Sequence, residues 1–138
     1  MATDGGGTPL ATTATGANRH DVTQLIPLVD AIPPIRGRAG APLRVPPKAT
    51  ADRGYDSDGH RMKLSGRGIK PQIARRNTPH GSGLGVFRYV VEQTIALIHQ
   101  FRRLRVRYDK RDDIHETFLK VACVVICWRR LHSSAAYF

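Results

Sequence analysis

The stretch "ATADRGYDSDGHRMKLSGRGIKPQIAR" (residues 49–75) carries the pattern that decides the fold. Residues 49–55 predict a short extended segment, residues 56–68 predict a helix bounded by a polar start and two glycines, and residues 69–75 predict a second strand. A strand, a helix and a strand in succession favour an α/β sheet layer with helices packed on it.

Three aspartates stand where the first predicted strand passes into this helix. Asp56 or Ser57 is predicted to cap the helix, and acids at a helix start complement its dipole, which is enough to explain Asp56 and Asp58. Asp52 precedes the cap and ends a strand, the position where α/β proteins place functional groups. Asp52 is therefore a candidate for chemistry, while an ordinary surface carboxylate remains the alternative.

Before this stretch, the sequence predicts a hairpin, a helix and a loop. The Gly-rich turn in residues 3–16 predicts a hairpin whose second arm is "LATTATG". Residues 21–32 have the apolar spacing of one helical face, with Asp21 as the predicted N-cap and Pro27 expected to shorten, kink or break the helix. Residues 33–48, rich in Pro, Gly and Arg, predict an exposed basic loop.

After this stretch, the period of the apolar residues changes to that of long helices. The stripe predicts one amphipathic helix from Val86, followed by a basic turn. A last helix is predicted from about Ile114 to Leu131, with a broad apolar face that indicates packing on several sides. The stripe of the first of these helices consists of Phe87, Val90, Val91, Thr94, Leu97, Ile98, Phe101 and Leu104.

The charge of the chain bears on its partners. With 22 Lys and Arg against 11 Asp and Glu, the net charge is +11. Such an excess favours a polyanionic partner, above all nucleic acid, although a basic surface without a specific partner has similar weight on composition alone.

The apolar run 118–128 is too short to cross a membrane. The first 20 residues lack the features of a signal peptide, and Cys123 and Cys127 form no disulfide framework, so a cytoplasmic setting is expected.

Glu92 is the second candidate carboxylate. On a helical wheel it lies nearly opposite the apolar stripe, on the face of Arg88, His99 and Arg103. Taken alone, this arrangement is best explained as a solvated face with an Arg88–Glu92 pair. The alternative is a carboxylate that faces a groove among phosphate-binding arginines.

Four stretches then resemble, together and in order, one known family. They are "PLATTATGANRHDVTQLIPLVDAIPPIRGRAGAP", "ADRGYDSD", "HGSGLGVFRYVVEQT" and "HQFRRLRVRYDKRDDIHETFLKVACVVICWRRL". From about Thr8 to Leu131 the chain resembles the C-terminal part of bacterial insertion-sequence transposases of the DDE superfamily (the IS-four/IS-five-type group). The resemblance implies a truncated RNase H-like α/β fold, a partial mixed sheet with packed helices and long C-terminal helices.

This resemblance also implies a domain organisation. Residues 1–20 would be the N-terminal hairpin of the truncated catalytic domain, residues 21–132 its remainder with the exposed loop 33–48, and residues 133–138 a tail. The family's activity is metal-dependent cleavage and strand transfer in DNA transposition. The implied partners are DNA (element ends and target) and either an upstream transposase polypeptide or further copies of the chain, with no membrane. The expected location is the bacterial cytoplasm, at the nucleoid.

The resemblance assigns roles to individual residues. The Asp that opens the D-R-G-Y motif is the family's second catalytic carboxylate and corresponds to Asp52; the Glu of the R-x-x-x-E motif is the third and corresponds to Glu92. Both would bind Mg²⁺ or Mn²⁺, hard ions that prefer oxygen ligands. Asn18, Asp21 and Tyr55 would support the site. The residues expected to contact DNA are Arg53, Arg88, His99, Arg102, Arg103 and Arg105.

One family feature is absent from the chain. The first catalytic Asp lies on a strand upstream of the hairpin, and Asp4 belongs instead to the turn between two strands. We therefore expect a C-terminal fragment that is inactive alone, which could be a truncation, a downstream reading frame or a pseudogene product. The alternative function is a non-catalytic basic DNA-binding module or a transposase remnant.

Overall fold

The structure, a computed structural model, describes residues 1–15, 20–36, 39–77 and 85–135. Its strands are β1 (Ala2–Thr3), β2 (Pro9–Ala11), β3 (Lys48–Ala51) and β4 (Lys70–Ile73). Its α-helices are α1 (Leu25–Asp30), α2 (Asp58–Ser65), α3 (Gly85–Ile98), α4 (Arg102–Arg105) and α5 (Asp112–Ala135), with 3-10 turns at Asp21–Gln24 and Arg53–Tyr55. Small sheets with several helices confirm the predicted α/β class. The chain forms two compact units, Gly16–Tyr89 and the combination of Met1–Thr15 with Val90–Phe138.

The unit Gly16–Tyr89 is built on a strand–helix–strand motif. β3 and β4 pair in parallel, from Lys48 opposite Lys70 to Ala51 opposite Ile73, and α2 connects them. Leu64 at the end of α2 and Ile69 before β4 are almost completely buried. Gly68 has a positive φ of 75°, which lets the chain leave α2 and return into β4. The strand–helix–strand prediction is thus confirmed, with shorter strands.

The helix predicted over 21–32 is shorter than its apolar pattern. The segment opens as a 3-10 turn, and α1 begins at Leu25, which leaves Pro27 in the first helical turn, where its missing N–H costs no hydrogen bond. The predicted shortening at Pro27 is confirmed. The predicted N-cap at Asp21 is wrong: Gln24 occupies that position for α1, and His20 precedes the 3-10 turn.

The unit that contains both chain ends holds the predicted hairpin. β1 and β2 pair antiparallel, and the second arm ends at Ala11, so it is shorter than predicted. Asp4 Oδ1 accepts hydrogen bonds from the backbone N–H groups of Gly6 (2.9 Å) and Thr8 (2.7 Å), which closes the turn. Asp4 therefore has a turn-forming role, as the sequence predicts.

A single glycine fits the hairpin turn against the helices of this unit. Gly7 has a φ of 81°, and a Cβ there would lie 2.9 Å from Thr94 Oγ1. The fully buried Thr94 hydroxyl donates to Gly7 O at 2.7 Å, and Arg130 of α5 donates to Gly6 O, also at 2.7 Å. These contacts connect α3, the turn and α5.

The prediction of one helix through Leu104 is wrong. α3 ends at Ile98, where the N–H groups of Gln100 and Phe101 bond three residues back to Leu97 O and Ile98 O, and α4 follows as a separate turn. α5 is longer than predicted at both ends. No helix in the described ranges is long and apolar enough to cross a membrane.

The two sides of α5 differ in burial. Ala122 and Ile126 are buried, whereas Val124 and Trp128 are 67% and 61% exposed. The predicted packing of this helix on several sides is therefore wrong, because one apolar side faces solvent.

Candidate functional site

Asp52 follows the last residue of β3, at the carboxyl end of the parallel pair. It is the N-cap of the 3-10 turn Arg53–Tyr55, and its Oδ1 accepts a hydrogen bond from Gly54 N–H at 2.9 Å. Among the described residues no donor bonds to its other oxygen, Oδ2, and the side chain is exposed. The turn thus uses one carboxylate oxygen and presents the other to solvent.

Gly54 allows the Asp52 carboxylate to lie close to the turn. A Cβ on Gly54 would be 3.0 Å from Asp52 Oδ1, closer than ordinary van der Waals contact. Any larger residue would therefore displace the carboxylate by a few tenths of an ångström. The D-R-G-Y sequence thus constrains where the candidate ligand lies.

Asp56 has a structural role that the sequence reading missed. Its Oδ1 accepts from Arg61 Nη2 at 2.7 Å and from Arg61 Nε at 3.0 Å, and its Oδ2 accepts from Arg76 N–H at 2.8 Å. Both side chains of the Asp56–Arg61 pair are mostly buried. The sequence predicts Asp56 or Ser57 as the helix cap, and Ser57 is the N-cap of α2, although its side chain makes no cap bond. The explanation of Asp56 as an ordinary helix-start acid is wrong, because its carboxylate bonds to Arg61 and Arg76.

The two arginines connect Asp56 to the ends of both strands. Arg61 Nη2 donates to Ile73 O at 2.7 Å, and the Arg76 guanidinium donates to Arg53 O and Gly54 O, both at 3.2 Å. We call this set (Asp56, Arg61 and Arg76) the turn network, because it holds the turn after Asp52 against the end of β4. The parallel pairing of the predicted strands could have revealed it, since that pairing brings residues 74–76 beside residues 52–56.

The turn network also determines the protonation of Asp56. The hydrogen bond from Arg76 N–H, together with the Arg61 guanidinium, holds the pKa of Asp56 below its ordinary value. Asp58 differs: it stands in the first turn of α2 and lies 3.8 Å from Arg75, with both side chains exposed. Such a pair contributes little, which agrees with the reading of Asp58 as a helix-start acid.

Arg53 and Tyr55 of the D-R-G-Y turn are half-buried. Tyr55 packs against the cluster formed by Leu25, Leu64, Ile69 and Ile73, and Arg53 offers its carbonyl to Arg76. Tyr55 thus anchors the turn in the core. Its supporting role at a catalytic site, and the DNA contact of Arg53, stay predictions.

Glu92 is an exposed residue of α3. It belongs to the unit that contains both chain ends, and Asp52 belongs to the other unit, so their pairing stays a prediction. The helical-wheel face predicted around Glu92 does not reach Arg103, because Arg103 lies on α4. Asn18 and the side chains of Asp21 and Arg88 lie outside the described residues.

A shallow basic depression lies at the corner between α3 and α4. Its lining consists of Ala96, His99, Gln100, Arg102 and Arg105. Arg103 is turned elsewhere: its guanidinium lies 3.7 Å from Asp109 Oδ1 and 4.8 Å from the ring centroid of Phe118. Of the four residues of this corner predicted to bind DNA, three line the depression, and Arg103 packs toward α5.

The chemistry of these carboxylates suits a hard divalent cation. Asp52 supplies an oxygen without a hydrogen-bond partner among the described residues, and Glu92 supplies a second exposed carboxylate. Within the ranges that the structure describes, no group of three or more His, Cys, Asp or Glu is placed to hold a metal ion. Asp52 and Glu92 are therefore each suited, as single carboxylate ligands, to a hard divalent cation.

Comparison with known proteins identifies the family. Residues 1–127 match the family described as Transposase DDE domain. The chain is also similar to the transposase assigned to insertion sequence element IS402 of Burkholderia cepacia, with 60% identity over 131 residues that cover 95% of this chain and 62% of that protein. No solved structure matches significantly. The match over 127 of the 138 residues shows that the chain belongs to the insertion-sequence transposases with a DDE domain.

Proposed function

We propose that this chain is part of the catalytic domain of a DNA transposase, with an RNase H-like fold, and that Asp52 and Glu92 are two of its three catalytic carboxylates. The observation that carries the proposal is the position of Asp52. It directly follows β3, one strand of a parallel pair, it is exposed, and the turn engages only one of its oxygens. Active sites of open α/β sheets lie at this edge.

The substrate in this proposal is DNA, both the ends of the element and the target. The net charge of +11 supplies long-range attraction for a polyanion, and Arg102 and Arg105 offer guanidinium groups at the basic depression. Contacts of this kind hold the phosphate backbone without reading bases. The expected location is the cytoplasm, at the nucleoid.

A bound pair of Mg²⁺ or Mn²⁺ ions would supply activation of a hydroxyl nucleophile and stabilisation of the leaving oxygen. The chain's own contribution is to hold ligands and DNA in place. Asp52 and Glu92 offer carboxylate oxygens, Gly54 and the turn network position Asp52, and the arginines align the phosphates. Residues 1–20, 21–132 and 133–138 would be the hairpin, the remainder of the domain and a tail.

We expect the 138-residue chain to cleave DNA weakly or not at all, because it supplies two of the three carboxylates that the family uses. The experiment measures binding to labelled duplex DNA with and without Mg²⁺, at several salt concentrations, alongside strand cleavage. Mg²⁺ should tighten the binding of the wild-type chain and have no such effect on Asp52→Asn or Glu92→Gln. Asp58→Asn is the matched control, since it removes a carboxylate six residues from Asp52 and should keep the Mg²⁺ response.

The outcomes separate the two functions. A Mg²⁺ response that survives both substitutions would contradict the site and favour the non-catalytic DNA-binding module. Efficient cleavage that is lost in Asp52→Asn would support the site and contradict the expected inactivity. If the wild-type chain showed no salt-sensitive binding to DNA, the proposal that DNA is its partner would be refuted.

A further inference from the structure

The loop before β3 is closed by a pair of backbone hydrogen bonds. Ile35 N–H donates to Leu43 O and Leu43 N–H donates to Ile35 O, both at 2.9 Å, so the two residues form an antiparallel bridge. Residues that face each other across such a bridge have their side chains on the same face. We call Ile35 and Leu43 the bridge pair, and the backbone fixes their side chains next to each other.

The bridge pair is apolar and exposed on a stiff segment. Ile35 is 41% exposed and Leu43 is 68% exposed, and Val45, two residues further on, is 46% exposed. Proline fixes φ, so a proline-rich segment has little backbone entropy to lose on binding. The prolines of residues 33–48 are Pro33, Pro34, Pro42, Pro46 and Pro47.

Positive charge surrounds the bridge pair. Residues 33–48 contain four basic and no acidic residues. Arg36 and Arg44 directly follow the two members of the pair and are exposed, and neither guanidinium pairs with an acid among the residues that the structure describes. An apolar pair flanked by unpaired arginines complements a polyanion that also offers an apolar interior, which is the character of stacked bases between phosphates.

The area of this surface distinguishes DNA from a protein partner. Ile35, Leu43 and Val45 together expose on the order of 300 Å², so contact between two such surfaces would bury about half of what a specific protein interface needs. Binding to DNA has no such requirement, because phosphate contacts supply most of the affinity and the apolar groups only have to fit between bases.

We propose that the bridge pair inserts into the minor groove of duplex DNA at a flexible base step and bends the duplex there. This inference rests on the proposed function, in which DNA is the substrate. The side chains of Ile35 and Leu43 have no donor or acceptor with which to read base edges, but apolar groups of this size part stacked bases and kink the helix. TA steps unstack most readily, so they are the preferred target. Arg36 and Arg44 hold the adjacent phosphates.

The bent step lies close to the candidate catalytic carboxylate. Leu43 and Asp52 are nine residues apart in the sequence, which limits their separation to about 32 Å. One turn of duplex DNA is roughly 34 Å long. The bend therefore falls within about one helical turn of a phosphate bound at Asp52, on the same DNA segment.

The experiment compares binding of the full chain to two labelled duplexes of equal base composition. One contains TA steps, with 2-aminopurine in place of one adenine, and the other contains stiff A-tracts. We expect the wild-type chain to prefer the TA duplex by about tenfold and to raise 2-aminopurine emission, because insertion unstacks the base. Leu43→Ala keeps the backbone bridge and should lose both effects, whereas Leu43→Met should keep both.

Two controls separate insertion from general DNA binding. Met62→Ala truncates a 74% exposed apolar side chain of the same unit and should keep the TA preference. Arg36→Ala combined with Arg44→Ala should weaken binding to both duplexes alike and reduce the slope of log K against log salt by about 2. Circular dichroism that matches wild type would show that each variant is folded.

The outcomes also separate this inference from the proposed function. Salt-sensitive binding of the wild-type chain without a TA preference, or a preference that survives in Leu43→Ala, would overturn insertion and leave the DNA partner standing. Absence of binding to both duplexes would overturn both proposals. A mass that doubles with concentration in the wild-type chain but not in Leu43→Ala, without a TA preference, would assign the bridge pair to a second copy and overturn insertion.

Discussion

Replacement of Asp56 tests whether the turn network holds the segment that carries Asp52. In Asp56→Ala, Arg61 and the Arg76 N–H lose three hydrogen bonds of 2.7 to 3.0 Å in a mostly buried setting. Hydrogen bonds to charged groups contribute about 1.5–3 kcal/mol each but do not add fully. We expect the free energy of unfolding of this unit to fall by about 3 kcal/mol in Asp56→Ala, and by about 2 kcal/mol in Asp56→Asn, which keeps one acceptor.

The effect should depend on pH in a defined direction. The pKa of Asp56 is held below its ordinary value of 3.8, so the folded state prefers the charged carboxylate. The stabilisation is fully present above the pKa of the unfolded chain, and it is lost as pH falls through the lowered folded pKa. The difference between wild type and Asp56→Asn should therefore be constant above about pH 5 and shrink below about pH 4.

The assay is urea unfolding followed by the NMR methyl signals of Leu64 and Ile69, which report the core of this unit alone. Asp58→Asn is the control, because its exposed pair with Arg75 should contribute no more than about 0.5 kcal/mol. If Asp56→Asn cost no more than Asp58→Asn, or cost the same at pH 3 as at pH 7, the reasoning about the turn network would be refuted.

Three further predictions concern the unit that contains both chain ends. Gly7→Ala should lower the unfolding free energy of this unit by on the order of 2 kcal/mol, because Gly7 has a positive φ and a Cβ there would lie 2.9 Å from Thr94 Oγ1. Gly5→Ala is the control: Gly5 has open space around it, so this variant should be near neutral in the same urea assay. Burial raises the pKa of the Cys123 thiol, so at pH 8 alkylation followed by mass spectrometry should be slower in the folded chain than in urea; equal rates would contradict this. Arg102→Ala with Arg105→Ala should weaken DNA binding and reduce the slope of log K against log salt by about 2, and an unchanged slope would exclude phosphate contact at the depression.

The local pattern of the sequence predicted the elements of the fold but not all of their boundaries. The strand–helix–strand motif, the hairpin and the last helix were predicted, because turn residues and apolar periods are local signals. The end of α3 at Ile98 was not predicted, because the apolar stripe continues through Phe101 and Leu104 although the helix does not. The exposed side of α5 was also missed, since an apolar period does not tell which side is covered.

The candidate site was predicted in part and for similar reasons. The position of Asp52 after a strand follows from local pattern, and its family role came from resemblance. The turn network escaped the sequence reading, because Arg76 is twenty residues from Asp56 and reaches it only through the parallel pairing of β3 with β4. Contacts of this range depend on tertiary structure, which capping rules do not encode.

The most direct test of the central claim asks whether Asp52 and Glu92 bind the same metal centre. Fe²⁺ substituted for Mg²⁺ reduces added hydrogen peroxide to hydroxide and a hydroxyl radical, with ascorbate returning the Fe³⁺ to Fe²⁺. The radicals cut the polypeptide near the bound ion, and the fragments can be mapped by mass spectrometry. We expect cuts near both residues in the DNA-bound wild-type chain, and loss of both sets in Asp52→Asn as well as in Glu92→Gln. Cuts near only one residue, or cuts near Glu92 that persist in Asp52→Asn, would contradict it.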